Sequence, residues 1–210
     1  MNSNELSGLF INPIALQVRQ WARDGKVDEG DFERLLTSDA RALVDHSMDM
    51  DLADWAPFEA VEGLVALAAE QLGGDAGLVE WAAGPFEEWL REAPVEGLLA
   101  SARGLVDAPG FVVSQLSELL VRDPHWQYDG GSASFSVRLS GLSEASSGLK
   151  SLIGSLLARV GAAAQARPFD VRFEGIDGEA ALVVFGEMET SDEDDLLGEG
   201  RLHRAALVAG

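Results

Sequence analysis

The hydrophobic residues of this chain first change period between residues 122 and 133, and that change limits the folds open to it. Upstream, apolar side chains recur every three or four positions, the spacing that lines one stripe of a helix. Downstream they alternate, the spacing that lines one face of a strand. A chain that reads as helices first and strands afterwards makes an α+β fold rather than a βαβ repeat. The expected architecture is a helical N-terminal half packed with a small, mostly antiparallel sheet crossed by one long helix.

Within residues 1–122 the helix boundaries are partly written in local signals. Asn12-Pro13 reads as an N-cap and first-turn pair ahead of Ile14, Leu16, Val18 and Trp21. Residues 31–36 and 38–46 predict two short helices, the second capped by Ser38. The strongest pattern starts at Pro57: Phe58, Val61, Leu64, Val65, Leu67, Ala68 and Leu72 form a broad apolar face, which Gly73-Gly74 stops. Asp75 then reads as the cap of a segment carrying Leu78, Val79 and Trp81, and Phe86, Trp89 and Leu90 share a face of the next. Pro94 starts a helix through Leu105/Val106, Ala108-Pro109-Gly110 breaks it, and Phe111–Val121 forms the last of the set.

Residues 123–186 read as strand, long helix, strand, strand. Ala133, Phe135, Val137 and Leu139 alternate with Ser134, Ser136 and Arg138, a half-buried strand, and a further strand is expected near Trp126–Tyr128. Leu149, Leu152, Ile153, Leu156, Leu157 and Val160 fit a long amphipathic helix. Residues 169–173 and 180–185 follow as a pair of strands around a turn signal at Asp177-Gly178. A small sheet covered by one helix still has apolar surface to bury, so residues 1–186 are expected to form a single composite domain. Residues 187–210 carry Glu187, Glu189, Asp192, Glu193, Asp194, Asp195 and Glu199 and are expected to be an acidic, self-repelling tail.

Charge narrows the partners. Among 210 residues, 36 acids face 15 Lys and Arg, for a formal charge of −21, and the only lysines are Lys26 and Lys150. That field repels phosphate backbones and anionic lipid. A nucleic-acid or membrane partner is therefore not expected, whereas a protein partner with a basic surface is. The N-terminus lacks the basic and apolar regions of a secretory signal, which points to a cytoplasmic protein. A chain of this length buries roughly 70% of its unfolded surface, so it needs no staple. With no cysteine it has no disulfide, thiolate metal site or thiol nucleophile.

Catalytic signatures are sparse. The histidines are His46, His125 and His203. The run Asp45-His46-Ser47-Met48-Asp49-Met50-Asp51-Leu52-Ala53-Asp54 gathers oxygen ligands, but lacks the glycine turn and closing Glu of a helix–loop–helix calcium loop, and reads as a solvated interhelical loop. Neither Gly-x-Ser-x-Gly nor a glycine-rich phosphate loop occurs. Most of the five tryptophans fall on apolar helix faces, where core packing is the ordinary role. Trp55, Trp81 and Trp89, with Phe135, are the residues expected to line an apolar pocket between helices and sheet.

The unit from Ser134 to Phe185, with Gly148 and Gly154 on its helix, resembles the end of heme nitric oxide/oxygen-binding domains and of the related heme-free, 4-vinyl-reductase-like sensor modules. There is also similarity to a helix-rich paralogous family expanded in myxobacteria. The resemblance implies a bacterial sensor or regulatory module. The heme-binding members carry Tyr-x-Ser-x-Arg on this strand. Here Ser134, Ser136 and Arg138 stand instead, and residues 98–121 hold no histidine to serve as axial ligand. The implied member is heme-free, and no cofactor is expected.

These readings converge on a non-enzymatic regulatory or adaptor protein that works through protein–protein contacts and takes a small apolar ligand between helices and sheet. The alternatives are a heme or tetrapyrrole sensor, a hydrolase or transferase using scattered carboxylates, and an acidic nucleic-acid mimic.

Overall fold

The computed structural model describes residues 5–50, 54–105, 108–122, 126–130, 135–140, 145–165, 169–176 and 180–187. Hydrophobic burial decides where the first helix begins. Helix α1 (Gly8–Arg23) starts well before Asn12-Pro13, because Phe10 and Ile11 are buried at 3% and 0% exposure and must join the apolar stripe. A proline inside a helix costs about 3 kcal/mol, and burying two such side chains returns about 1.5–3 kcal/mol each. The helix therefore runs through Pro13 and the expected cap does not form.

The same correction applies three more times. Helix α2 (Glu29–Leu35) is capped by Asp28, with a reciprocal box to Asp31, and α3 (Ser38–His46) is capped by Thr37, so Ser38 is its first residue. Helix α4 (Phe58–Leu72) follows Pro57 and ends on Gly73 at φ +83°, as its sequence predicts. Helix α5 (Asp75–Trp89) has Gly74, not Asp75, at its N-cap, and fuses two expected segments through an internal Pro85. Helix α6 (Ala93–Ala102) begins beside Pro94. Gly104, at φ +83°, stands just beyond its end, and Ala108-Pro109-Gly110 opens α7 (Ala108–Leu120) rather than breaking a helix.

Three short strands tie these helices together. Strand β1 (Glu5–Ser7) pairs antiparallel with β2 (Trp55–Pro57) on one side and β3 (Val121–Arg122) on the other, Leu6 standing opposite both Ala56 and Val121. Two- and three-residue strands leave no periodic trace in a sequence. Here they pin the start of α1, the start of α4 and the end of α7 to one point. Arg122 closes the corner, its guanidinium 4.7 Å from the Trp55 ring centroid and 2.9 Å from a Glu5 carboxylate oxygen.

The second sheet is antiparallel throughout, in the order β4 (Trp126–Gly130), β5 (Phe135–Ser140), β7 (Ala180–Glu187), β6 (Phe169–Ile176). Its register aligns Tyr128, Val137, Val183 and Phe173 in one row. Residues opposite one another share a face. In the same register Trp126 pairs with Leu139, and Phe185 pairs with both Phe135 and Val171.

Helix α8 (Ser147–Gln165) packs on β6, and α7 packs on β4, with the two helices side by side. On its other side α8 meets α4 and α5, so one hydrophobic cluster runs from Leu6 to Val160. The fold is thus α+β with a helical N-terminal half, and two helices, not one, lie on the sheet. The acidic segment after Glu187 lies outside the described residues. No helix among the described residues is long and apolar enough to cross a membrane.

Candidate functional site

Helices α1 and α5 both pack on α4 and run beside each other with a cleft between them. Two contacts set their relation: the Phe10 and Phe86 rings stack at 6.0 Å, and Trp81 Nε1 donates to Gln17 Oε1 at 3.3 Å. Increasing number on one helix therefore meets decreasing number on the other, an antiparallel pair. The cleft has a volume of about 530 Å³. Gly8, Asn12, Pro13, Leu16, Gln17 and Gln20 form one wall at helical spacing, and Trp81, Pro85, Glu88 and Trp89 form the other. Met50 and Glu92 stand at the Gly8 end, where the amide of Gly8 also donates to the Asp54 carbonyl at 2.7 Å.

The polar atoms of this lining are unevenly spent. Trp81 uses its indole donor on Gln17, and Gln20 Nε2 donates to Asp24 at 2.8 Å. Trp89, by contrast, is only 6% exposed and its Nε1 has no hydrogen-bond acceptor. Asn12 donates through Nδ2 to the Met50 carbonyl at a long 3.4 Å, and its buried Oδ1 accepts from nothing. Leaving a buried polar group unpaired costs about 1–3 kcal/mol, so an orphan donor and an orphan acceptor on one cleft are unusual. Pro13 and Pro85 add to the imbalance. Each lines the cleft and has no amide hydrogen to give to its own helix ladder.

The charge is one-sided as well. Glu88 and Glu92 are exposed at the cleft, neither has an ion-pair partner among the described residues, and no Lys, Arg or His lines it. Glu92 occupies the N-cap of α6 without spending its carboxylate on a capping bond.

Of the residues expected to bind a ligand, Trp81 and Trp89 line this cleft. Trp55 does not: it is in β2 beneath Arg122. Phe135 is in β5, on the sheet far along the chain from α1 and α5, and its side chain is not among those described. The cleft itself lies between two helices of the N-terminal half, not between helices and sheet. Asn12, Pro13, Pro85, Glu88 and Glu92 carried no sequence signal for a site. The one available hint was that two prolines interrupt otherwise continuous apolar stripes.

The remaining candidates are placed as follows. His46 ends α3, exposed, its Nδ1–H donating to the Ala42 carbonyl at 2.8 Å. Residues 51–53 of the acidic run, His125 and His203 lie outside the described residues. Among the described residues no three His, Asp or Glu side chains are grouped to hold a metal ion. Elsewhere, Asp31 accepts from the Asp28 amide and from Arg34, which holds its carboxyl below the ordinary 3.8. Arg34 in turn spans to Glu70 at 2.9 Å, joining α2 to α4 at the surface.

No protein-family model matches the chain, and no curated protein does.

Proposed function

We propose that this is a regulatory or adaptor protein without catalytic activity, and that the cleft between α1 and α5 is where it receives its partner. The observation that carries this reading is the pair of unspent polar atoms, Trp89 Nε1 and Asn12 Oδ1, on a cleft walled mainly by rings and aliphatic groups with Gln17, Gln20, Glu88 and Glu92 among them. Binding sites are mostly apolar with a few placed polar groups. Such groups stay unpaired at a cost to the free protein because a guest pairs them. The lining offers carboxylates, amides and indoles, with neither a nucleophilic hydroxyl nor an imidazole beside them, which suits recognition rather than bond making. The charge of −21 favours encounter with a basic partner, and such steering weakens as salt rises. Heme-free sensor modules, which the C-terminal unit resembles, fit the same role.

The test is affinity purification of the full chain from its native cell at low salt, with mass spectrometry of proteins and of small molecules. The expected result is one stoichiometric protein that dissociates at raised salt and is lost when Leu16→Arg fills the cleft. Recovery of a metabolite alone, or of a protein that Leu16→Arg retains equally, would replace the adaptor reading.

A further inference from the structure

We infer that the α1–α5 cleft binds a basic peptide segment in extended form, with one cationic side chain set beside Trp81 and Trp89 and one backbone amide meeting Asn12 and Trp89. This rests on the binding role of the cleft proposed above and names the chemistry of its guest.

The inference comes from counting donors against acceptors. The acceptors are Asn12 Oδ1 and the carboxylates of Glu88 and Glu92. The one unspent indole donor is Trp89 Nε1. A guest that complements this set is rich in N–H groups, positively charged, and carries at least one acceptor. A guanidinium or ammonium supplies the first two properties. A peptide carbonyl supplies the third by accepting from Trp89 Nε1, while a peptide N–H donates to Asn12 Oδ1.

Three further observations fit. Indole faces attract a cation within about 6 Å of the ring centroid, and two of the five tryptophans line this one cleft. The wall from Gly8 to Gln20 is about 18 Å long from the helical rise, and an extended pentapeptide spans about 17 Å. Finally, both orphan atoms are screened from water, so a guest reaches them by displacing a lining side chain. Met50, joined to Asn12 only by the 3.4 Å contact through its carbonyl, stands at that end. Side-chain shifts of this kind are common on binding.

The experiment uses the full chain with its indoles labelled with nitrogen-15, so that each of the five tryptophans gives a separate signal. Trp89→Phe identifies the Trp89 signal. Acetyl-Ala-Arg-Ala-Arg-Ala-amide is titrated against acetyl-Ala-Glu-Ala-Glu-Ala-amide. The arginine peptide is expected to move the Trp89 and Trp81 signals saturably, and the glutamate peptide to leave them in place. The isosteric, surface-exposed pair Glu88→Gln/Glu92→Gln is expected to weaken the arginine peptide about three- to tenfold, the effect of two exposed ion pairs. The inference is overturned if the arginine peptide leaves Trp89 unmoved, if the glutamate peptide moves it equally, or if the double variant binds as tightly as its parent. An inert arginine peptide together with a captured partner that Leu16→Arg releases removes the basic-peptide inference alone. A responding Trp89 with no protein captured removes the adaptor reading and keeps the guest chemistry.

Discussion

Helix α5 meets α8 along one side and faces α1 along another, and the two seams are made from opposite kinds of residue. The seam with α8 is closed by a missing side chain. A Cβ at Gly148 would stand 3.0 Å from Val65 Cγ1, 3.2 Å from Asp75 Oδ1 and 3.6 Å from Leu78 Cδ2, so a side chain there would make its neighbours give by a few tenths of an ångström. Arg159 reaches Glu87 at 3.3 Å farther along the same contact. The seam with α1 is held apart by large rigid groups, Trp81, Pro85 and Trp89 against Pro13 and Leu16, and two of its polar atoms, Trp89 Nε1 and Asn12 Oδ1, are left without partners, against one, Arg159 Nε, on the α8 side. One seam is packed shut, and the other is the cleft proposed above for recognition. Dense packing leaves no room for a guest, and unpaired polar atoms are tolerated where a guest completes them.

The largest test of this contrast lies in the closed seam. Leu78, fully buried, is expected to lose about 2–5 kcal/mol on truncation to alanine, read from urea denaturation. A loss below about 1 kcal/mol, the range of near-neutral core swaps, would show the seam to be loosely packed and erase the difference between the two sides. Next comes Gly148→Val, where overpacking against Val65 and Asp75 is expected to cost about 1–3 kcal/mol by the same measurement.

The open seam should respond differently. Glu88→Gln/Glu92→Gln is expected to stay within about 0.5 kcal/mol of the parent in thermal unfolding, as exposed substitutions usually do. A marked loss would mean that the cleft carboxylates hold the fold and are not reserved for a partner.

The smallest effect belongs to a third kind of contact, the surface charge tie between α2 and α4. The Asp28 amide and then Arg34 hold the Asp31 carboxyl below 3.8. A lowered folded value means stability that is present above the unfolded value and lost as pH falls through the folded one. Asp31→Asn should therefore lower stability slightly at neutral pH, where that contribution is fully present, and flatten the fall below pH 3.8, so that variant and parent converge in acid. Acid denaturation followed by circular dichroism separates the two outcomes.

Much of the fold was legible because its signals are periodic and long. The apolar face of α4, its glycine stop, the α8 stripe and the alternation at Phe135–Leu139 each repeat often enough to outweigh local noise. Boundaries were legible only where no buried neighbour competed. Asn12-Pro13 is a good cap in isolation, yet Phe10 and Ile11 needed the core more. Asp75 looked like a cap, and Gly74 took that position. The strands β1 to β3 are too short to show a period. Half of the site was legible: large aromatics on helix faces singled out Trp81 and Trp89, and the same rule equally picked Trp55, which pairs with Arg122 instead.

By itself the sequence determined the longer elements and their order, the alternation that marks β5, and the acidic charge of the chain. These follow from residue type and spacing, which act over one or two turns of helix or a few residues of strand. Only the tertiary structure decided that α5 would close on α8 and stay open toward α1, that Asn12 and Trp89 would share a cleft, and that their polar atoms would go unpaired. Such facts depend on side chains distant in sequence competing for the same volume and the same hydrogen-bond partners, and no local pattern records who wins.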